Sequence, residues 1–168
     1  MPYQSHFAHA DQVIAHLGGL RGPQLDPLLE AKYVGFAVIA CVTVFEMAIK
    51  DILVSFADKK HRIFGTFVQH RCERMNGRIQ IDTLKDDYIR QFGDKYVRRF
   101  DRNLAASAKA VLQSKRRDIR ASYKNLITWR HAFAHAGVTS ANATWDEAIQ
   151  AYEDGKEVIR CFDLTLAR

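Results

Sequence analysis

The chain has 168 residues, of which 48% are hydrophobic and 26% are charged, and its formal net charge is +6. This length fits one domain, and the composition is typical of a folded globular protein rather than a disordered chain. The few glycines and prolines, 9 and 3 residues, argue against a β-sandwich, because that class needs many turn residues. We therefore predict a single domain over 1–168, in which 1–27 form a peripheral N-terminal segment.

The cysteine count and the hydropathy pattern indicate the cellular compartment in which the protein is expected. The three cysteines are widely spaced and form no CxxC pair, which excludes a zinc ribbon or a disulfide scaffold and favours a reducing cytoplasm. Residues 1–12 lack the basic and apolar regions of a secretory signal. The longest apolar run, 34–54, contains three charged residues, so it predicts a buried helix rather than a membrane span.

The hydrophobic periodicity predicts helices throughout the chain. The predicted segments are 5–17, 28–57, 61–75, 82–92, 95–112, 114–136 and 144–166. Asp82 is placed as an N-cap, Gly137 as the glycine that ends the sixth segment, and Thr144 with Glu147 as a capping box. No convincing alternating strand is found. The predicted fold class is all-α, a bundle of long antiparallel helices with short connections.

The basic residues are concentrated in one part of the chain. Residues 95–130 contain eleven Lys and Arg against two acids, whereas 141–168 contain six acids against three bases. Such an asymmetry suggests a polyanionic partner, most simply a nucleic acid, although a charge run can also be a solvated helix face. The residues predicted to bind RNA are Lys115, Arg116, Arg117, Arg120 and Lys124. Tyr96, Phe100 and Tyr123 lie among the basic residues and either stack on bases or belong to the core.

Two apolar stripes each contain one charged residue. In the predicted helix 114–136, the position that continues the series Ile119, Tyr123, Leu126 and Phe133 is Arg130. In the helix 28–57, the series Val42, Ile49 and Leu53 includes Glu46. An inward-facing charge needs a partner, a ligand or a wet pocket, so we predict that Glu46 pairs with Arg130 or faces the same cleft. Alternatively, each side chain lies at the edge of its stripe and extends to water.

The segment 129–137, WRHAFAHAG, carries the strongest chemical signal. His131 and His135 are four residues apart, so they lie on one helix face, whereas Arg130 and His135 are about 140° apart around the helix. The pair could be ordinary histidines, or two metal ligands, because HxxxH is a real ligand spacing. However, Ala132 stands where HExxH has glutamate, and no further ligand follows at a characteristic spacing. We therefore predict no metal and favour action on a phosphodiester.

The stretch from Arg130 to His135 resembles the R-x4-6-H signature of HEPN-domain ribonucleases, in which a polar residue follows the arginine. The motif's position near the end of a late, long helix is similar to that in the family, and so is the early apolar helix that contains an acid, here Glu46. The similarity extends loosely over most of the chain and is closest to stand-alone bacterial HEPN proteins of defence and toxin–antitoxin systems.

This resemblance implies a metal-independent endoribonuclease without cofactors, active as a homodimer in which two motif helices form one composite cleft. It implies that Arg130 holds the scissile phosphate, that His135 acts as general acid or base and that His131 orients the phosphate or a partner side chain. It also implies that the embedded acid, Glu46, belongs to the site. The implied reaction is attack by the RNA 2′-hydroxyl, which leaves a 2′,3′-cyclic phosphate.

Two other functions remain open at this point. Some HEPN-like domains are inactive and serve as RNA-binding or protein-interaction modules. A toxin held inactive by a cognate antitoxin protein would have the same chemistry under a different regulation. RNA, a second copy of the chain and an antitoxin are therefore the predicted partners, and no membrane is expected.

Overall fold

A computed structural model describes residues 2–139 and 142–167, and all regular structure in these residues is helical. A 3-10 turn, Pro2–His6, precedes the first α-helix. The α-helices are α1 (Phe7–Gly19), α2 (Pro27–Asp58), α3 (Arg62–Cys72), α4 (Ile81–Thr83), α5 (Asp94–Lys115), α6 (Ile119–Ala136) and α7 (Trp145–Leu166). A π-helical turn, Leu84–Tyr88, and a 3-10 turn, Ile89–Phe92, continue α4. The all-α prediction is confirmed.

The long helix α2 is the centre of the molecule, and α1, α3, α6 and α7 pack against it. Its Phe45 is fully buried and stacks on Tyr123 of α6 and on Tyr152 of α7, with ring centroids 5.8 and 5.5 Å apart. Gly155 allows α7 to approach closely, because a Cβ at that position would lie 2.5 Å from the Phe45 ring. The helix that carries the Arg-His motif is thus fixed to the core through Tyr123.

The N-terminal segment is part of this core rather than a peripheral addition. Tyr3 and Ala10 are buried, and the Phe7 ring meets Phe45 and Tyr152 edge to face. The hydroxyl of Tyr152 also donates to the Phe7 carbonyl at 3.2 Å. The expectation of a peripheral segment over 1–27 therefore fails for its first helix, whose apolar side chains complete the layer above α2 and α7.

The sixth helix begins five residues later than predicted. α5 continues through Ser114 to Lys115, and Arg116 has a left-handed backbone with φ 57° that ends it. Asp118 then caps α6 by accepting from the Arg120 N–H at 2.9 Å. Consequently, the basic run 115–117 spans a helix end and a connection instead of one helix face. Asp82 was predicted as an N-cap, but it lies within the first turn of α4, one residue after that helix begins.

The other predicted signals at helix ends are present. Gly137 follows α6 with φ 66°, and Thr144 forms the capping box with Glu147 at the start of α7. Within the described part of the chain, no helix has both the length and the apolar character that are needed to cross a membrane.

Candidate functional site

The end of α6, which carries the motif, is attached to the first half of α2. The Lys32 ammonium group donates to the Gly137 carbonyl at 2.5 Å, which satisfies a free carbonyl at the helix C-terminus. Phe133 is buried, and its ring occupies the space over Gly35, where a Cβ would lie 2.3 Å from the ring. The ring of Phe36 meets Phe133 edge to face at 5.4 Å. These contacts fix the motif helix against α2.

Arg130 is half-buried and has no hydrogen bond or carboxylate partner among the described residues. Its guanidinium group packs over Gly77, where a Cβ would be 3.2 Å from Nη1 and 3.4 Å from Cζ. The inward position predicted from the apolar stripe is therefore present. A half-buried cation without a counter-ion favours the binding of an anion.

Glu46 does not pair with Arg130, so the first form of our prediction is wrong, and Glu46 is not among the residues that line the cleft beside Arg130. Its Oε1 accepts from the Lys50 ammonium group at 2.6 Å, and its Oε2 accepts from the Gly77 N–H at 2.6 Å. Lys50 lies one turn further along α2, which is the favourable i,i+4 spacing for an ion pair. Glu46 and Arg130 instead contact the same residue, Gly77, from different helices.

The loop 73–80 is held in place at two points. Besides the bond from Glu46 to Gly77, the hydroxyl of Tyr123 donates to the Ile79 carbonyl at 2.8 Å. Asn76 and Gly77 both have positive φ, at 37° and 77°, a conformation that favours glycine. The loop therefore presents a defined surface to Arg130. Sequence reasoning missed Gly77 as a site residue, although the Asn-Gly pair at the end of the predicted helix 61–75 was a visible signal.

A cleft of about 750 Å³ opens beside Arg130. Its basic side chains are Arg120, Lys124, Arg130 and the nearby Lys85, with His131 at its rim, and its acidic side chains are Asp82, Asp101 and Asp118. Asp118 caps α6, and Asp101 lies 3.9 Å from Lys85. Arg120, Lys124 and Arg130 have no carboxylate partner within the described ranges, so three cations face the cleft unpaired.

The two histidines lie close together and open to solvent. Their ring centroids are 4.3 Å apart with an interplanar angle of 54°, and both residues are exposed. His131 lines the cleft, whereas His135 lies one turn further along α6 and does not. In a single chain, therefore, the cleft contains the arginine and only the first histidine.

The predicted RNA-binding cations divide into three groups. Arg120 and Lys124 line the cleft. Lys115 and Arg116 are exposed at the end of α5, outside it. Arg117 instead donates through Nε and Nη2 to Asp154 of α7, with a shortest distance of 2.6 Å, and Asp154 is only 2% exposed. Arg117 thus has a structural role in this fold. The position of Asp154 between Ala151 and Val158 on the apolar face of α7 was a signal that the sequence analysis did not use.

The aromatic residues of the basic stretch belong to the core. Tyr96, Phe100 and Tyr123 are 6%, 0% and 0% exposed, so the expectation that they stack on bases is wrong, and the alternative is confirmed. The cause is helix geometry, since these positions face α7 or α2 rather than solvent.

As for metal ligands, the described residues contain no cluster of three or more His, Cys, Asp or Glu side chains.

The chain matches a known protein family. The model described as RiboL-PSP-HEPN matches residues 6–168. No curated protein and no solved structure matches the chain. The family match covers every helix from α1 to α7 and includes the whole cleft.

Proposed function

This chain belongs to the RiboL-PSP-HEPN family, and on that premise we propose that it is an endoribonuclease that cleaves RNA without a metal ion. The observation that carries the proposal is the half-buried Arg130, which faces a cleft without a counter-ion and adjoins two histidines. A phosphodiester supplies the missing negative charge, and imidazole is the side chain best suited to proton transfer near neutral pH.

The residues of the motif take different parts in the proposed reaction. The RNA 2′-oxygen attacks the adjacent phosphorus and loses its proton to a histidine, while the bond from phosphorus to the 5′-oxygen breaks. The leaving 5′-oxygen receives a proton, and the products are a 2′,3′-cyclic phosphate and a 5′-hydroxyl. Arg130 stabilises the charge that develops on the phosphoryl oxygens. His135 acts as the acid or base, and His131 orients the phosphate.

The site is proposed to be completed by a second copy of the chain. His135 is exposed and lies outside the cleft of its own chain, so a partner subunit could bring its histidine to this arginine. Phe36 and Met47 are 52% and 43% exposed on α2, and Phe36 touches the motif helix through Phe133. An apolar surface beside the motif fits a dimer contact.

One assay tests the proposal. Purified protein is incubated with single-stranded and structured RNA in excess EDTA, and the products are analysed for 2′,3′-cyclic ends. Cleavage that persists in EDTA and is lost in both Arg130→Ala and His135→Ala supports it. Lys109→Ala, which removes an exposed cation outside the cleft, is the matched control and should cleave normally. Cleavage that requires added metal contradicts the mechanism and favours metal binding by His131 and His135.

The second candidate is a non-catalytic RNA-binding or protein-interaction module. It is favoured by the position of His135 outside the cleft of the single chain. Binding of RNA without cleavage by the dimeric protein supports this module and rejects the enzyme.

The biological setting forms a separate part of the proposal. We infer a cytoplasmic toxin or defence effector, with a cognate antitoxin as a further partner. The three free cysteines, Cys41, Cys72 and Cys161, are all buried, which is compatible with a reducing compartment. Relief of toxicity by the product of a neighbouring gene, when the two are expressed together, tests this part without reference to the chemistry.

A further inference from the structure

Other residues of the loop 73–80 line a second groove. It has a volume of about 880 Å³ and is formed by the end of α3, the loop and the turns that continue α4. Arg74 and Arg78 of the loop line this groove, whereas Gly77 of the same loop lines the cleft beside Arg130. Since Gly77 is three positions after Arg74 in the sequence, their Cα atoms are at most about 10 Å apart. The groove therefore begins beside the candidate catalytic site.

The groove contains two arginines that the fold leaves unpaired. Arg78 pairs with Asp87 at 3.2 Å, and Arg90 pairs with Asp86 at 2.7 Å. The remaining carboxylate, Glu73, lies 3.4 Å from His70. Arg71 and Arg74 are exposed and have no carboxylate partner in the part of the chain that the structure describes. Two neighbouring phosphates would neutralise them.

Phe67 gives this groove a flat apolar surface. Its side chain is 55% exposed, and it lies one helical turn before Arg71 on α3. The outward face of α5 provides a useful contrast. Lys95, Arg98 and Arg102 are exposed there, but the aromatic residues of that helix, Tyr96 and Phe100, are buried. The groove thus offers both a stacking surface and cations, whereas α5 offers cations without an exposed aromatic ring.

We propose that this groove binds unpaired RNA nucleotides adjacent to the cleavage site, with a base stacked on Phe67 and phosphates held by Arg71 and Arg74. An aromatic ring can stack only on a base whose face is free, so the groove selects single-stranded or looped RNA over a duplex. The inference rests on the proposed function, because it assigns the same RNA to both sites and narrows the substrate class.

Binding measured apart from cleavage tests the groove. The full chain carrying His135→Ala is titrated into a labelled oligouridylate and into an RNA duplex of the same length, in EDTA. Phe67→Ala should weaken single-strand binding about tenfold, as expected for the loss of one stacked base, and should leave duplex binding unchanged. Phe67→Tyr, which keeps the ring, should restore single-strand binding.

The arginines give a second, independent signal. The double variant Arg71→Ala/Arg74→Ala should lower the slope of log affinity against log salt by about 1.4, the value expected for two phosphate contacts on a single strand. The matched control, Arg98→Ala/Arg102→Ala, removes the same charge from α5 and should change single-strand affinity less than twofold. All six substitutions are on exposed side chains, and circular dichroism verifies that each variant is folded.

The outcomes separate this inference from the proposed function. If Phe67→Ala leaves the affinity for single-stranded RNA unchanged, the proposal that the groove binds RNA is overturned, whether or not the parent chain cleaves RNA. A Phe67-dependent affinity in a parent chain that never cleaves RNA supports the groove and rejects the nuclease. If the two double-arginine variants lose the same affinity for single-stranded RNA and Phe67→Ala loses none, the proposal is overturned in favour of general electrostatic attraction. Binding of an acidic peptide that depends on Phe67, with normal RNA binding, overturns it in favour of a protein partner.

Discussion

At the residue scale, Gly77 connects the two charged side chains of the candidate site. Its N–H donates to Glu46 at 2.6 Å, and the guanidinium group of Arg130 occupies the space where a Gly77 Cβ would point. Glu46 therefore acts on Arg130 through the backbone of the loop and not through charge pairing. In the proposed reaction, Glu46 and Gly77 are therefore positioning residues, and Arg130 is the residue assigned to contact the phosphate.

Substitution of Gly77 by alanine should disturb Arg130. The new Cβ would lie 3.2 Å from Nη1, and φ 77° disfavours any L side chain, at a cost of about 1–2 kcal/mol. We expect cleavage to fall at least tenfold, measured as kcat/KM on a fluorescent RNA, in a chain that remains folded. Gly93→Ala is the matched control, because Gly93 also has positive φ, 109°, but nothing lies within 4 Å of its Cβ position. Equal losses of activity in both variants would show that backbone strain, rather than contact with Arg130, is responsible.

Asp163 in α7 should make stability depend on pH. Its Oδ2 is buried without a hydrogen-bond partner among the described residues, and burial raises the pKa of this carboxyl, with Lys59 opposing the shift. A carboxyl whose pKa is higher in the folded state destabilises the fold when it is ionised, and this effect disappears as pH falls below the ordinary aspartate pKa of about 4. Asp163→Asn should therefore raise Tm at neutral pH and give little gain near pH 3.

Thermal unfolding at both pH values checks this expectation. Asp82→Asn is the control, because Asp82 is exposed, and it should change Tm much less at neutral pH. A gain for Asp163→Asn that is the same at both pH values would mean that ionisation of the carboxyl is not the cause.

At the scale of the elements, the apolar periodicity predicted the helices well, and the connections poorly. The start of α6 was misplaced because Arg116 adopts φ 57° without a glycine to mark it. The π-helical turn Leu84–Tyr88 has no signature in the pattern of apolar residues. The inward position of Arg130 followed from the stripe on α6. In contrast, the position of Gly77 depends on tertiary contacts that Glu46 and Tyr123 make with the loop 73–80. The apolar periodicity of a single helix cannot predict such contacts.

The connection between α5 and α6 is attached to α7 by one buried ion pair. Arg117 donates to both carboxylate oxygens of Asp154, and Ser122 Oγ donates to Oδ2 at 2.8 Å. Arg117→Ala would leave a buried, ionised Asp154 with only the Ser122 bond, so we expect a loss of about 3 kcal/mol in the free energy of unfolding. Urea denaturation measures it. Lys115→Ala, which removes an exposed cation nearby, should cost less than about 0.5 kcal/mol, and equal losses would contradict the structural role of Arg117.

At the scale of the whole molecule, some of the basic side chains in 95–130 form hydrogen bonds with α7, the helix that carries the acidic residues counted in 141–168. Arg99 donates to the Thr165 carbonyl of α7 at 3.1 Å, and Arg117 pairs with Asp154 of the same helix. Part of the positive charge counted in 95–130 is therefore used to join helices. The cations that remain unpaired include those beside Arg130 and those in the groove at Phe67, so the sequence asymmetry overstates the surface available to RNA and says little about its location.

The last expectation concerns assembly. Met47 is 11 positions after Phe36, which places them on one face of α2, three turns apart, and both are more than two-fifths exposed. Because Phe36 packs on Phe133 of the motif helix, a second copy seated on this face would lie against that helix. Phe36→Glu should therefore convert a dimer into monomers in sedimentation velocity and abolish cleavage in the same preparation.

The control for this variant is Leu164→Glu. Leu164 is 43% exposed and lies near the end of α7, a different helix from the one that carries the motif. It introduces the same charge on an apolar surface position and should leave both the sedimentation coefficient and the cleavage rate unchanged. A Phe36→Glu monomer that still cleaves RNA at the parent rate would mean that one chain holds the complete site, and we would then expect His131, which lines the cleft, to transfer the proton. The two histidines can then be told apart directly, because His131→Ala would abolish cleavage by that monomer and His135→Ala would not.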